Sequence, residues 1–249
     1  MDEATELLRL SFQARLKRKM GDPDRYVKLG DDSALFLVDK RHPAFNTLVI
    51  GPEQEAARVL RDGLDILRTR GYPATVQFAE SVASALHPEA ERHGLTLQDK
   101  MPVMVFRPTA ALPFPDDVEV QAAGDAVLLR SAMEVITAVT ELPLELLLRV
   151  TDRIDDVECF IGSKDGEIMS TVTLTRLGDT ALISAMVTLP AHQRKGVGRA
   201  LLSRAIELYR TRGVQRFFLS ATPAGFPMYE RLGFKTISHH EHWSFEPAS

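Results

Sequence analysis

Thr188-Leu-Pro-Ala-His-Gln-Arg-Lys-Gly-Val-Gly-Arg-Ala-Leu-Leu202 is the stretch whose reading decides the fold. Upstream of it, Thr180 to Leu189 is an apolar, β-rich run, which predicts a buried strand. Downstream, Gly198 to Arg212 carries Leu201, Leu202, Ala205, Ile206 and Leu208 at helical spacing. Between strand and helix lies Gln193-Arg-Lys-Gly-Val-Gly198. Glycines let a backbone approach a ligand closely, and the amides of a first helical turn have no intrahelical partners. The helix dipole adds about half a positive charge at that end. Arg194, Lys195 and Arg199 add full charges, so the stretch reads as a site for a phosphate or pyrophosphate.

The pattern of the loop narrows the ligand. It is not G-x-x-x-x-G-K-[ST], nor is it G-x-G-x-x-G after a first strand, so a P-loop and a dinucleotide fingerprint are both disfavoured. Its order is Gln193-x-x-Gly196-x-Gly198, with Pro190 just ahead. This resembles the acyl-CoA pyrophosphate loop of the GNAT superfamily of N-acetyltransferases, [RQ]-x-x-G-x-[GA]. Two further segments follow in the family's order: the strand Phe217-Phe-Leu-Ser-Ala221 after Gly213, and Met228-Tyr-Glu-Arg-Leu-Gly-Phe234, similar to L-Y-x-x-x-G-F. The resemblance covers about residues 118 to 249.

Read in order, that half is β-α-α-β-β-β-α-β-α-β-β. Val118 to Gln121 is its first strand, and Gly124 to Val139 and Leu142 to Asp152 are helices. Strands Val157 to Gly162, Ile168 to Leu177 and Thr180 to Leu189 follow. After the loop and its helix come Phe217 to Ala221, a short helix Phe226 to Leu232, and a strand pair, Lys235 to Ser238 and His242 to Phe245. The resemblance implies a mixed-sheet α/β fold of the GNAT type.

The first half reads as an amphipathic helix over residues 4 to 20 with a solvated basic side, then a turn at Gly21-Asp-Pro-Asp24. Strands are expected at Ala34 to Val38, Asn46 to Ile50, Ala74 to Phe78, Leu95 to Leu97 and Val103 to Phe106. Helices are expected from Gly51-Pro52 to Gly71 and from Ser81 to Arg92. Leu67-Arg-Thr-Arg-Gly71 recurs as Tyr209-Arg-Thr-Arg-Gly213, and Gly94-Leu95 corresponds to Gly233-Phe234. Each glycine closes a helix ahead of a strand. We read a tandem arrangement, with a degenerate copy over residues 1–110 and a complete one over 118–249, joined through the proline-rich segment 107–117. The first copy lacks the loop chemistry. Gly51-Pro-Glu-Gln-Glu-Ala56 has no glycine pair, and its two glutamates would repel phosphate.

What the resemblance implies for the second copy is acyl transfer from acetyl-CoA to an amine. Met186, Val187 and Thr188 would border the pantetheine, with a backbone amide, that of Val187, on the thioester oxygen. Gln193, Arg194, Lys195, Gly196, Val197, Gly198 and Arg199 would hold the pyrophosphate. Tyr229 matches the family tyrosine that returns a proton to the CoA thiolate. Thr222 stands where the family often has an asparagine that touches the cofactor. The strand before the loop lacks the glutamate that many members use as base, leaving water, Glu158 or Glu167 for that task.

Composition limits the alternatives. With 249 residues, 45% of them hydrophobic, there is material for one large domain or two modest ones. The net charge of −4 disfavours a nucleic-acid binder. A single cysteine, Cys159 in an apolar run, allows no intramolecular disulfide and suits a cytoplasmic protein. No membrane span or signal peptide is expected. His239, His240, Glu241 and His242 are read as a solvated strand end rather than a metal site, with Trp243 on the sheet. The expectation is a cytoplasmic N-acetyltransferase, monomer or homodimer, needing acetyl-CoA and no metal. The alternative is an acyl-CoA-binding sensor or assembly module without turnover.

Overall fold

The computed structural model describes residues 2–19, 25–39, 41–52, 54–113, 118–151 and 156–247. They fall into two compact units. The first comprises residues 1–104, 220–226 and 236–249, and the second comprises 105–219 and 227–235.

The first unit opens with α1 (Glu3–Lys19), followed by β1 (Tyr26–Lys28), β2 (Ala34–Phe36) and β3 (Thr47–Ile50). Then come α2 (Ala56–Arg70), β4 (Ala74–Ala79), α3 (Glu80–Arg92) and β5 (Thr96–Phe106), the last of which runs to the edge of the unit. Its sheet is completed from the far end of the chain by β11 (Lys235–Phe245), giving the order β1-β2-β3-β4-β11-β5. β3 and β4 run parallel, as a crossover through α2 requires, and β11 lies antiparallel to β4 from His240 opposite Ala79 to Phe245 opposite Ala74. Trp243 and Phe245 enter the core formed by Leu48, Val59, Leu60, Leu64, Leu67, Val76 and Phe78, with the Trp243 ring 5.7 Å from that of Phe78.

The second unit holds β6 (Glu119–Ala122), α4 (Ala126–Thr140), α5 (Leu144–Thr151), β7 (Val157–Lys164), β8 (Glu167–Leu177) and β9 (Thr180–Thr188). It continues through α6 (Val197–Thr211), β10 (Arg216–Ser220) and α7 (Phe226–Leu232), and its strand order is β10-β9-β8-β7-β6. Asp125 caps α4 by accepting the Leu128 amide at 2.8 Å. Leu201, Leu202, Ala205, Ile206 and Tyr209 of α6 are buried, each large side chain contributing about 1.5–3 kcal/mol. Tyr209 sets its ring edge-on to Phe160 and donates its hydroxyl to the Leu174 carbonyl. The segment after β5 lies on α6: Leu112 N–H donates to Glu207, and Arg210 donates to the Ala110 carbonyl.

The repeat read in the sequence is present in the hydrogen bonding. Gly71 and Gly213 both adopt the left-handed conformation, at φ 68° and 88°. After each, the next residue donates back to the same place, Tyr72 N–H to Leu67 O at 3.0 Å and Val214 N–H to Tyr209 O at 3.1 Å. Gly94 and Gly233 repeat the device, with Leu95 N–H to Ala90 O and Phe234 N–H to Tyr229 O. The parallel pair β3–β4 matches the parallel pair β9–β10.

Several expectations are corrected. The two strands expected at Leu95 to Leu97 and Val103 to Phe106 are one, β5, and the final strand pair is one, β11. The last strand therefore adds to the first unit's sheet instead of closing a hairpin. α2 begins at Ala56 rather than at Gly51-Pro52, and Gly51 serves a close approach instead: a Cβ there would lie 2.2 Å from the Asp32 carbonyl oxygen. Tyr26–Lys28, too short to signal, forms an edge strand. The basic side of α1 is only partly solvated: Arg9 pairs with buried Asp32, and Arg15 donates to Thr47 and Gln77. The turn expected at residues 21–24, Glu53 of the first copy's loop and residues 114–117 of the proline-rich segment lie outside the described residues.

The histidine-rich end is packed, not solvated. Alternation along β11 puts His240 on one face and Glu241 on the other. His240 meets Gln77 at 2.6 Å, and Glu241 accepts from His87 and from the Trp243 indole. Burial pushes the His240 imidazole down to about 3, with further lowering from His242 and Arg15.

Candidate active site

The site is built where β9 parts from its neighbour. β9 and β10 pair in parallel at Thr180–Arg216, Ala181–Phe217 and Leu182–Phe218, and not beyond. From Ile183 onward β9 pairs, among the described residues, with β8 alone. There it carries an extra residue: Thr173 faces Ser184 and Thr171 faces Val187, so Ala185 and Met186 together oppose Val172. Ala185 takes φ 49°, the left-handed region, to make this bulge. Alanine carries no signal for that conformation, so the bulge was not legible in the sequence.

The register fixes which backbone groups are available. Leu189 N–H donates to Met169 O at 2.9 Å, which makes that pair a hydrogen-bonded one. Alternation makes Val187–Thr171 the next, so the amide of Val187 points at β8. Its carbonyl accepts from the Ser170 hydroxyl at 2.7 Å. Met186 and Thr188, rather than the Val187 expected to face the thioester, have their amides directed to the edge away from β8.

The loop follows. Leu189 leads into a single 3-10 turn, Pro190–His192, whose His192 Nε2–H donates to Glu167 Oε1 at 3.0 Å. Gln193 turns its side chain back and donates to the Thr188 carbonyl at 3.0 Å. Arg194 at φ 64° and Gly196 at φ 84° then reverse the chain twice, and α6 starts at Val197. The first bond to reach back into the loop is Ala200 N–H to Gly196 O at 2.9 Å. The amides of Val197, Gly198 and Arg199 are bonded to no acceptor among the described residues. Arg194, Lys195 and Arg199 are exposed around them. Dipole, amides and cations thus converge on one small surface.

Gly198 sits against the strand: a Cβ there would lie 2.9 Å from Met186 Cε, 3.0 Å from Thr188 Oγ1 and 3.7 Å from Met228 Sδ. The loop helix, the free edge of β9 and the start of α7 therefore meet at Gly198. Tyr229 is the next residue on α7. It is buried, edge-on to Phe234 at 5.7 Å, and burial pushes its phenol up to about 12. No hydrogen-bond partner holds its hydroxyl among the described residues.

The remaining candidates are occupied elsewhere. Thr222 belongs to the first unit, and its hydroxyl and carbonyl accept the Gly225 amide in the turn ahead of α7. Glu158 pairs with Arg212 and Glu167 with His192. Cys159 is buried with its sulfur 3.1 Å from the Thr171 hydroxyl. Among the described residues the first copy has no counterpart of the opening. β3 and β4 stay paired from Thr47–Thr75 to Ile50–Phe78. No helix among the described residues is long and apolar enough to cross a membrane.

A mixed sheet with a bulged strand that parts from its neighbour and leads into a helix with unbonded amides belongs with the GNAT fold. Residues 131–234 match the model of the acetyltransferase (GNAT) family. Members of that family use acyl-CoA donors. The chain is similar in fold to a GCN5-related N-acetyltransferase from Kribbella flavida, at 17% identity over 100% of this chain and 97% of that one, TM-score 0.76. It is also similar to a GCN5-related N-acetyltransferase from Sphaerobacter thermophilus (18% identity, 86% and 76% covered, TM-score 0.64). A third likeness is to a tandem GNAT protein from the clavulanic acid biosynthesis pathway (14% identity, 87% and 79% covered, TM-score 0.58). These likenesses extend the GNAT-like fold to the N-terminal half. No curated protein matches the chain in sequence.

Proposed function

We propose that the second unit is an N-acetyltransferase that moves an acetyl group from acetyl-CoA to an amine by direct transfer. The observation that carries this reading is the meeting at Gly198 of the unbonded amides of α6 with the free edge of β9 at Met186 and Thr188. A pyrophosphate on Val197, Gly198 and Arg199, with Lys195 and Arg194 beside it, leaves the pantetheine to run along that edge as an added strand. The Met186 amide is then the donor for the thioester oxygen, where negative charge develops as the amine attacks.

The transfer balances simply. The amine nitrogen forms a bond to the carbonyl carbon, the C–S bond breaks, and the thiolate takes a proton. Tyr229 is the group placed to donate to the departing sulfur: with its phenol raised to about 12 it is protonated at neutral pH. Because a thiol, at about 8.5, is the stronger acid, any proton Tyr229 passes to the thiolate is regained at once from the water that takes up the amine's proton. The amine's proton leaves to water, since Glu158 and Glu167 are each ion-paired.

An assay of free thiol release from acetyl-CoA over a panel of small amines and peptides tests the reading. Turnover with at least one amine, lost in Tyr229→Phe while acetyl-CoA still binds, is expected. Tight acetyl-CoA binding without turnover on any amine would favour instead a sensor or assembly module, for which the absence of a carboxylate on β9 is the motivating observation.

A further inference from the structure

Glu167 and His192 lie beside the donor loop without belonging to it. Glu167 is the first residue of β8, and two residues on, the Met169 carbonyl holds the Leu189 amide. His192 closes the 3-10 turn, and the next residue opens the loop. The loop has little of its own to hold it. Gln193, Arg194 and Lys195 are exposed, and Arg194 is a non-glycine residue in the left-handed region. Two side-chain ties fasten its base to the sheet: Gln193 to the Thr188 carbonyl, and His192 to Glu167. The His192 side chain is 18% exposed and that of Glu167 65%, so the tie reaches from the solvent side onto a packed imidazole.

We infer that the Glu167–His192 pair is a positioning clamp for the acyl-CoA loop, setting the affinity for the pyrophosphate end of the donor through the backbone of Gln193 to Gly198. This rests on the acetyl-CoA reading of the loop. The pair touches no donor atom: it keeps the base of the loop in place so that the amides of Val197, Gly198 and Arg199 stand ready without reordering on binding. It also gives Glu167 a task other than that of general base.

The test is calorimetric titration of the full chain with acetyl-CoA, and ligand-observed NMR with S-acetylpantetheine, which lacks the pyrophosphate. Glu167→Ala and His192→Ala each raise the acetyl-CoA Kd about two- to fivefold, the range of an exposed ion pair. The double variant is no worse than either single one, because both remove one tie. Glu167→Gln, which keeps an acceptor for the imidazole N–H, stays near wild type. S-acetylpantetheine binds all four alike. Equal weakening of both ligands, or a Glu167→Ala protein that binds acetyl-CoA like wild type, overturns the clamp and leaves the acetyl-CoA reading standing. A wild type that binds no acetyl-CoA overturns both.

Discussion

Gly198 stands so close to Met186 that a Cβ on the glycine would lie 2.9 Å from the methionine Cε. The contact joins the first turn of α6 to the strand edge, and it explains a glycine that the backbone conformation alone does not demand. Its role differs from that of Gly196, where φ 84° demands glycine and nothing lies within 4 Å of a Cβ. Gly198→Val therefore pushes α6 off β9. Overpacking of this kind costs about 1–3 kcal/mol. Thermal unfolding is expected to show that loss, and calorimetry an acetyl-CoA affinity reduced more than tenfold. Unchanged affinity would mean that the meeting of helix and strand is packing alone.

Tyr229→Phe keeps the ring that packs on Phe234 and removes only the hydroxyl. Turnover is expected to fall by about 10²-fold or more with the Kd for acetyl-CoA unchanged. Because burial raises the phenol to about 12, its ionisation adds no descending limb to the rate profile between pH 7 and 10. A tyrosine-dependent fall near pH 9 would contradict the placement of this group.

His240 makes the first unit sensitive to acid. Its folded value near 3 lies below the ordinary 6.5, so between those limits the unfolded chain binds a proton that the folded one refuses. Its stabilising contribution is complete above about pH 6.5 and is lost as the pH falls toward 3. At pH 5 the loss is about 2 kcal/mol. Urea midpoints at pH 7 and pH 5 report it, and His240→Gln, keeping a polar partner for Gln77, is expected to flatten the difference. An equally steep fall in that variant would assign the acid sensitivity to other groups.

The C-terminal strand belongs to the first unit's sheet, so ending the chain after Lys235 removes the partner of β4 along with Trp243 and Phe245. Loss of a buried tryptophan alone costs about 3–5 kcal/mol. Proteolysis of the shortened chain is expected to cut first within residues 1–104. Preferential cutting in residues 119–219 would contradict the assignment of this strand.

Gly71→Ala and Gly213→Ala probe the repeat. Both glycines are left-handed and neither has an atom within 4 Å of a Cβ, so the cost is conformational, about 1 kcal/mol each. Matching losses in urea midpoint are expected, and a much larger loss at one would break the equivalence.

The sequence carried most of the second half because its signals are local. Gln193 to Gly198, the closing glycines and the Met228 to Phe234 segment each follow from turn chemistry or helical spacing that neighbouring residues supply. What was illegible depends on distant partners. The sharing of β11 with β4 pairs residues more than 150 positions apart, and nothing in Lys235 to Phe245 says which strand will flank it. The same holds for His240, which reads as a surface residue until Gln77 and Arg15 are brought to it. The bulge at Ala185 was hidden for another reason: tertiary packing imposes a left-handed φ on a residue that does not favour it. One unseen residue of register is enough to change which amides face away from β8, those of Met186 and Thr188 rather than that of Val187.

The most direct measurement is titration of the full chain with acetyl-CoA, beside Gly196→Glu, which sets a carboxylate at the start of α6. One molecule bound per chain, with no binding to the variant, is the predicted result, since the opening beside β9 has no counterpart between β3 and β4. Absence of binding by the wild type, or binding that the substitution leaves intact, would contradict the account and reduce the glycine loop to a turn between a strand and a helix.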